Sequence, residues 1–201
     1  KRIAWQTIRL STIIILPFSC SLIFYSNEVM RLFGSDYVNG ALSLEILLLS
    51  ILPLCVISGV CTLLNSYGYY RHVLIIGLAM SVPQTLLYFA LVPLYETTGA
   101  ALGYTIGSIA GCIVSVLTAK KIGLHLFWKE LGIIFIVSTS IGYILSSIHL
   151  NYIPGILLTI ALSYLLLLKV NIVTKKDVID FLEILPKGVA NPILKFITKN
   201  R

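Results

Sequence analysis

Four polar residues stand inside long apolar stretches of this sequence and are its candidates for chemistry: Glu45, Asn65, Gln84 and Tyr88. A carboxylate such as Glu45 is costly in an apolar environment, so it often marks a site that meets a substrate or carries a proton. The alternative is a structural carboxylate that reaches the interface or stays protonated. We therefore treat Glu45 as a candidate substrate-binding residue.

Gln84 and Tyr88 are spaced i, i+4, which places both side chains on one helical face. Such a pair can line an aqueous path, and Asn65, near the end of its apolar stretch, is a further candidate contact for a substrate. Amide side chains in apolar helices also serve as hydrogen-bond links between helices. Both interpretations stay open, and we take these three residues with Glu45 as the predicted substrate-binding set.

The sequence lacks the patterns that mark common enzymes and cofactor sites. Its three histidines fall in separate predicted loops, His72 and His125 on one side of the apolar stretches and His149 on the other, and cannot form one metal site. The four cysteines lie in apolar stretches without CxxC spacing and are interpreted as small apolar fillers. No P-loop, HExxH or GxSxG motif occurs. We therefore expect no catalytic centre, no metal and no cofactor.

The elements that hold these residues are long and apolar. Hydrophobic residues make up 58% of the chain and charged residues 11%, and the mean hydropathy is +0.97. A helix needs about 20 apolar residues to cross about 30 Å of hydrocarbon. Six stretches qualify and predict an all-α, polytopic transmembrane helix bundle: 10–25, 41–64, 73–93, 100–119, 131–148 and 152–168. We expect the second stretch to bend at Pro53.

Charges in the connections predict an orientation. All of the 15 lysine and arginine residues except Arg31 fall on one side of the six predicted spans, and Arg31 shares the other side with Glu28, Asp36 and Glu96. Cationic loops stay in the cytoplasm. The sequence thus predicts a multi-pass protein of the cell membrane with both ends of this chain cytoplasmic. The net charge of +7 is then a topology signal, and we expect no nucleic-acid partner.

A row of small residues marks one face of the fourth predicted span. Small residues on one face let two helix backbones approach closely in lipid, where packing replaces the hydrophobic drive. The row predicts a tight contact with a neighbouring helix of the same chain. A seam along which helices slide and a homodimer contact are the alternatives. Its members recur every four positions: Gly99, Gly103, Gly107, Gly111, Ser115 and Ala119.

Two segments outside the spans have amphipathic patterns. Residues 27–33, ahead of the turn-forming Gly34, predict a short interfacial helix. Residues 174–201 carry apolar residues at helical spacing and several lysines, which predicts a cytoplasmic amphipathic tail on anionic lipid headgroups. A partly disordered, solvated tail is the alternative. The chain then divides into four spans within 1–121, two further spans within 122–173, and this tail.

Short motifs in a fixed order resemble a known family. They are RLFGSDY at 31–37 after the first span, LEIL at 44–47, LLNSYG at 63–68 followed by Arg71, and GAALG at 99–103. Their order and spacing resemble the C-terminal region of polysaccharide exporters, the oligosaccharide flippases of the multidrug/oligosaccharidyl-lipid/polysaccharide exporter superfamily.

The resemblance implies that these spans are the ninth to fourteenth helices of a fourteen-helix exporter, in which two six-helix lobes surround a cavity. Residues 1–121 would then complete the second lobe, and 122–173 would be the added pair. Such proteins flip lipid-linked oligosaccharide from the cytoplasmic to the outer leaflet by alternating access. The implied partners are membrane lipid, the lipid-linked oligosaccharide and a missing N-terminal lobe of the same polypeptide. The family's cationic cavity residues have no counterpart here, and Glu45 has no family precedent.

Two other functions fit the same sequence. One is a drug/cation antiporter of the same superfamily, and the other is a non-transporting membrane subunit of a glycan-assembly complex. The chain begins at Lys1 without an initiating methionine, and we expect it to be the tail of a longer protein. A flippase fragment is the leading hypothesis.

Overall fold

The computed structural model describes the backbone of residues 2–123, 128–147 and 152–169, and side chains within 11–123, 131–146 and 154–167. This part of the chain is all helical. A short 3-10 helix, Ser35–Gly40, links α2 to α3. The helices are α1 Arg2–Phe24, α2 Ser26–Phe33, α3 Ala41–Leu49, α4 Ile51–Ser66, α5 Tyr70–Lys121, α6 Trp128–Ser147 and α7 Tyr152–Lys169.

Within the described residues, each predicted span is helical apart from Tyr25 and Ser50. Two helices of the described part are long and apolar enough to cross a membrane, 35–66 and 70–121, and the bent pair 11–24 with 26–33 makes three if it counts as one span. The apolar helices 131–146 and 154–167 are shorter. The chain is therefore helical and apolar as predicted. The predicted tail, 174–201, lies outside the described residues.

A bend was predicted at Pro53, and the structure interrupts the helix three residues earlier, while 35–66 still counts as one apolar segment. Helices α3 and α4 are separated by Ser50, whose backbone N–H bonds to the Leu47 carbonyl at 3.1 Å in place of the regular helical partner. A proline has no N–H, and its ring crowds the carbonyl four residues before it. That carbonyl belongs to Leu49, so the interruption falls where Pro53 removes the regular bond.

The short helix predicted over residues 27–33 is present. Helix α2 follows α1 after Tyr25, and the two apolar segments meet at an angle of 81°. Gly34 ends α2 with a φ of 132°, a backbone conformation that residues with a Cβ rarely adopt. The turn chemistry read from the sequence at this position therefore stops the helix.

Helix α1 lies at the centre of the bundle and contacts α3, α4, α6 and α7. The Ser19 hydroxyl donates to the Leu48 carbonyl of α3 at 3.1 Å, and the Tyr164 hydroxyl of α7 donates to the Ile14 carbonyl of α1 at 3.1 Å. One core cluster joins α1, α6 and α7: Ile13, Leu16, Ile134 and Leu167. Both polar and apolar contacts therefore fix α1 inside the bundle.

Neighbouring helices alternate in direction along the chain. A Cβ at Gly142, near the end of α6, would overlap the ring of Phe24, which ends α1. A Cβ at Gly155, near the start of α7, would overlap Tyr25. Helix α6 thus runs parallel to α1, whereas α7 runs antiparallel to it. The helix ends gather at two opposite ends of the bundle.

Helix α5 is two helices joined by a reversal. A straight helix of its 52 residues would be about 78 Å long. Its helical geometry breaks at Glu96, with φ 47° and ψ −122°. We call residues 70–95 the first arm and residues 97–121 the second arm. They match the third and fourth predicted spans.

The row of glycines holds the two arms together, which confirms the predicted contact within the chain. A Cβ at Gly103 would lie 2.8 Å from the Tyr88 ring, and one at Gly107 would lie 2.7 Å from the Cβ of Gln84. A Cβ at Gly111 would lie 2.8 Å from the Cβ of Met80. As numbers rise on the second arm they fall on the first, which is the register of an antiparallel hairpin.

We call Gly99, Gly103, Gly107 and Gly111 the glycine seam. The last two members of the row, Ser115 and Ala119, are fully buried as well. Ala119 packs with α4 and with the start of the first arm in one cluster. The row is therefore covered by this chain along its length, which leaves that face no room for a second copy. Sliding along the seam stays a prediction.

Glu96 tests the reversal. A non-glycine residue in its conformation carries about 1–3 kcal/mol of strain, and Glu96→Gly removes that strain. The greater freedom of glycine in the unfolded chain lowers the stability by about 0.5–1 kcal/mol. We expect Glu96→Gly to raise the free energy of unfolding by about 1 kcal/mol, measured by thermal unfolding in detergent micelles. The neighbouring Tyr95→Gly, in a helical position, should lower it by a similar amount. A less stable Glu96→Gly would contradict the reversal.

Gly107 tests the seam. Besides Gln84, a Cβ there would lie 2.8 Å from the Met80 carbonyl oxygen, which is backbone and cannot turn away. We expect Gly107→Ala to lower the free energy of unfolding by about 1–3 kcal/mol. Gly77, in the first arm, has no neighbour within 4 Å of its Cβ position and supplies the matched control. Equal stabilities of Gly107→Ala and Gly77→Ala would show that the seam does not pack.

Candidate functional site

Glu45 lies at the end of the bundle where α1 meets α2. The hydroxyl of Ser26 donates a hydrogen bond to Glu45 Oε1. Ser26 is buried and is the first residue of α2, while Glu45 is half-buried in α3. The carboxylate therefore stands near the N-terminal end of α2, where the helix dipole favours negative charge.

Hydroxyl contacts join this part of α3 to the reversal in α5. The Ser43 hydroxyl lies 3.2 Å from the hydroxyls of both Thr97 and Thr98. Two residues from the carboxylate, α3 is thus bound to the first residues of the second arm. Further along, the Thr105 hydroxyl donates to the Ile46 carbonyl at 2.9 Å. Glu45 consequently sits on a helix held from both sides, by α2 and by the second arm.

Gln84 and Tyr88 are bonded to each other. The Gln84 amide Nε2 donates to the Tyr88 hydroxyl at 2.7 Å, so the two share one helical face as predicted. Both side chains are half-buried and rest on the glycine seam, at Gly107 and Gly103. The contact satisfies one polar group with another inside an apolar helix. That a substrate meets them stays a prediction.

Asn65 is separate from the other three candidates. It lies in the last turn of α4, its side chain is exposed, and its backbone carbonyl accepts the Gly68 N–H at 3.1 Å. Glu45 is 20 residues earlier, so the two are about 30 Å apart along α3 and α4. The structure therefore brings Gln84 and Tyr88 together and places Glu45 and Asn65 at opposite ends of the bundle.

A cavity between α1 and α4 adds residues that the sequence pattern did not reveal. Its volume is about 270 Å³, and its polar lining comes from Ser11 of α1 with Cys55 and Ser58 of α4. A second cavity of about 250 Å³, beside Pro53 and Cys112, has an entirely apolar lining. Small polar residues in an apolar helix give no signal by spacing alone. Their meeting across two helices appears only in the fold.

The charged side chains of the described part are sorted between the two ends. One end, which we call the acidic end, holds Glu28, Arg31, Asp36 and Glu45 with the reversal at Glu96. The other, which we call the basic end, holds the cations at the start of the first arm and the close of the second: Arg71, Lys120 and Lys121. This arrangement matches the charge asymmetry read from the connections.

The cysteines fit the apolar role predicted for them. Cys20 and Cys55 are buried, and Cys61 and Cys112 are half-buried; all four are free thiols. The Sγ of Cys20 lies 3.7 Å from the Thr139 hydroxyl, across the contact of α1 with α6. Of the predicted loop histidines, His72 lies in the described part, at the start of α5.

Within residues 11–123, 131–146 and 154–167, no three histidine, cysteine or acidic side chains group closely enough to hold a metal ion. The candidate residues are joined by hydrogen bonds, from Ser26 to Glu45 between α2 and α3 and from Gln84 to Tyr88 within the first arm. Comparison with known proteins found no matching family model, no matching curated protein and no matching solved structure.

Proposed function

We propose that the chain is the C-terminal part of a membrane flippase that moves lipid-linked oligosaccharide to the outer leaflet by alternating access. The observation that carries the proposal is the alternation of helix direction together with the sorting of charge between the two ends. A membrane protein needs this combination, since its helices must cross and its cationic loops must stay inside. The motif order 31–103 supports the exporter assignment.

The proposal counts six crossings. The first is α1, with α2 lying in the interface, and the second is α3 with α4. The two arms of α5 supply the third and fourth, and α6 and α7, of 20 and 18 residues, supply the last two. Each is near the length of about 20 residues that the hydrocarbon requires.

The exposed surface of the first arm supports a lipid or protein neighbour along this hairpin. Leu74, Leu86 and Phe89 are 63%, 66% and 79% exposed. A soluble protein rarely exposes a continuous apolar face of this kind. In the proposal this face meets acyl chains or the N-terminal lobe of the same polypeptide.

Glu45 is the residue that we propose as the switch of the acidic end. Its bond to Ser26 joins α3 to α2, and its neighbours bind α3 to the reversal. A sugar hydroxyl that replaces Ser26 on Glu45 would release α2 from α3. Substrate contact would then loosen the outer end of α3, which belongs to the second crossing.

A drug/cation antiporter of the same superfamily is the second candidate, and Glu45 is the observation that favours it. Among the side chains within residues 11–123, 131–146 and 154–167, Glu45 is the one acidic group in a crossing helix away from the reversal. A carboxylate at this depth can exchange a proton for a cation. Transport of a sugar lipid or of a cation by the full-length protein distinguishes the two functions.

Cysteine labelling tests the orientation. Ser35 and Ser66 are exposed at opposite ends of the bundle, and the four native cysteines are first replaced by alanine. In intact cells, Ser35→Cys should react with a membrane-impermeant maleimide, and Ser66→Cys should react only after permeabilisation. The reverse pattern would invert the proposed topology, and labelling of both from outside would place the two ends on one side.

Substitution of Glu45 tests its role in the full-length protein. We expect Glu45→Gln to lower the initial flipping rate in reconstituted vesicles about ten-fold, because a hydrogen bond to a charged group contributes about 1.5–3 kcal/mol. Ser26→Ala should lower the rate in the same direction. Glu28→Gln removes a carboxylate at the same end and should keep the normal rate. Normal flipping by Glu45→Gln, with normal expression, would leave Glu45 a structural residue.

A further inference from the structure

The basic end brings together cations that are far apart in the sequence. In the hairpin, Gly111 lies against Met80 and Gly107 against Gln84. Each step forward on the second arm therefore corresponds to an equal step back on the first. The same register places Arg71 beside Lys120. Both arms also contribute to one core cluster near this end, which contains Ile76 and Ala119.

These cations are exposed. The side chains of Arg71, Lys120 and Lys121 all lie on the surface of the described part. The lysines stand in the last turn of α5, where the carbonyl end of a helix favours positive charge. The positive charges stabilise the end of the helix, and the ammonium groups stay accessible. Within residues 11–123 no acidic side chain lies at this end, and Glu130 is in the first turn of α6.

Three exposed tyrosines precede Arg71 in the chain. Tyr67, Tyr69 and Tyr70 are 53%, 46% and 68% exposed, between the end of α4 and the first residue of α5. The ring centroids of Tyr67 and Tyr69 are 6.4 Å apart. Those of Tyr69 and His72 are 5.7 Å apart, with the two rings nearly perpendicular. Exposed tyrosines at a helix end are typical of the membrane interface, where the ring meets acyl chains and the hydroxyl meets headgroups.

We propose that Arg71, Lys120 and Lys121 form a binding site for the phosphate of an anionic phospholipid in the inner leaflet. An arginine side chain pairs with two phosphate oxygens through its planar fork, and two lysines add point charges. The tyrosines set the site at headgroup depth, with the apolar first arm beside it for the acyl chains. The leaflet assignment rests on the orientation within the proposed function, whereas the site itself does not depend on transport.

The occupant is a lipid and not free phosphate because of what surrounds the charges. A dissolved anion would gain only the charge contacts. A phospholipid adds the apolar face that begins at Leu74 and Ile75, which are 63% and 53% exposed one turn from Arg71. The site therefore recognises a phosphate attached to acyl chains.

Lipid binding by the purified 201-residue chain in a neutral detergent tests the site. Pyrene-labelled phosphatidic acid is titrated, with phosphatidylcholine and inorganic phosphate as competitors. Each cation near a charged lipid contributes about five-fold in affinity, so the triple variant R71Q/K120Q/K121Q should bind phosphatidic acid about 100-fold more weakly. The matched control K1Q/R2Q/R9Q removes equal charge from residues 1–9, outside the hairpin, and should weaken binding far less.

The outcomes separate the possibilities. Preferential loss in the first triple variant, with little competition from inorganic phosphate, supports the lipid site. Equal losses in the two triple variants would reduce it to nonspecific charge attraction, and equal affinity for inorganic phosphate would overturn the lipid assignment. The assay uses neither orientation nor transport. A failed labelling or flipping experiment would therefore contradict the proposed function alone, and unchanged binding by R71Q/K120Q/K121Q would contradict this site alone.

Discussion

The close approach of the two arms of α5 is the contact on which the rest of the arrangement depends. Glycines at four-residue spacing let the backbones come together until side chains of the first arm occupy the space of the missing Cβ atoms. In lipid no hydrophobic drive pushes helices together, so this close packing supplies the attraction. It fixes the hairpin register, and the register places the reversal beside α3 and the cations of both arms at the other end.

Contacts around α1 follow a second constraint, which is the need to satisfy polar groups away from water. Many hydroxyls in the described part donate to backbone carbonyls, within a helix as in Thr159 to Gly155 or between helices as in Ser19 to Leu48. Three buried serine hydroxyls have no partner there: Ser115, Ser138 and Ser163. The bonds that form remove the cost of an unpaired hydroxyl in an apolar environment. They also connect α1 to its neighbours without charge. The charged side chains of the described part lie at the two ends of the bundle.

The sequence predicted the helices well because length and apolarity are local properties. The small-residue row also predicted its contact, since a face without side chains has few uses besides close packing. The candidate site was harder to predict because its partners lie far apart in the chain. Spacing could pair Gln84 with Tyr88, but nothing local indicates that Ser26 donates to Glu45 or that Asn65 stands at the opposite end.

The sorting of charge is more informative than its total. If the net charge of +7 were spread evenly, it would indicate only general attraction to anions. Here the seam and the reversal bring Glu96 to one end and Arg71 with Lys120 to the other, so one hairpin carries opposite charges at its ends. A membrane orients such a hairpin through its cationic end. The same seam that packs the helices therefore also orders the charges, and any motion that shifted the arms would move both ends together.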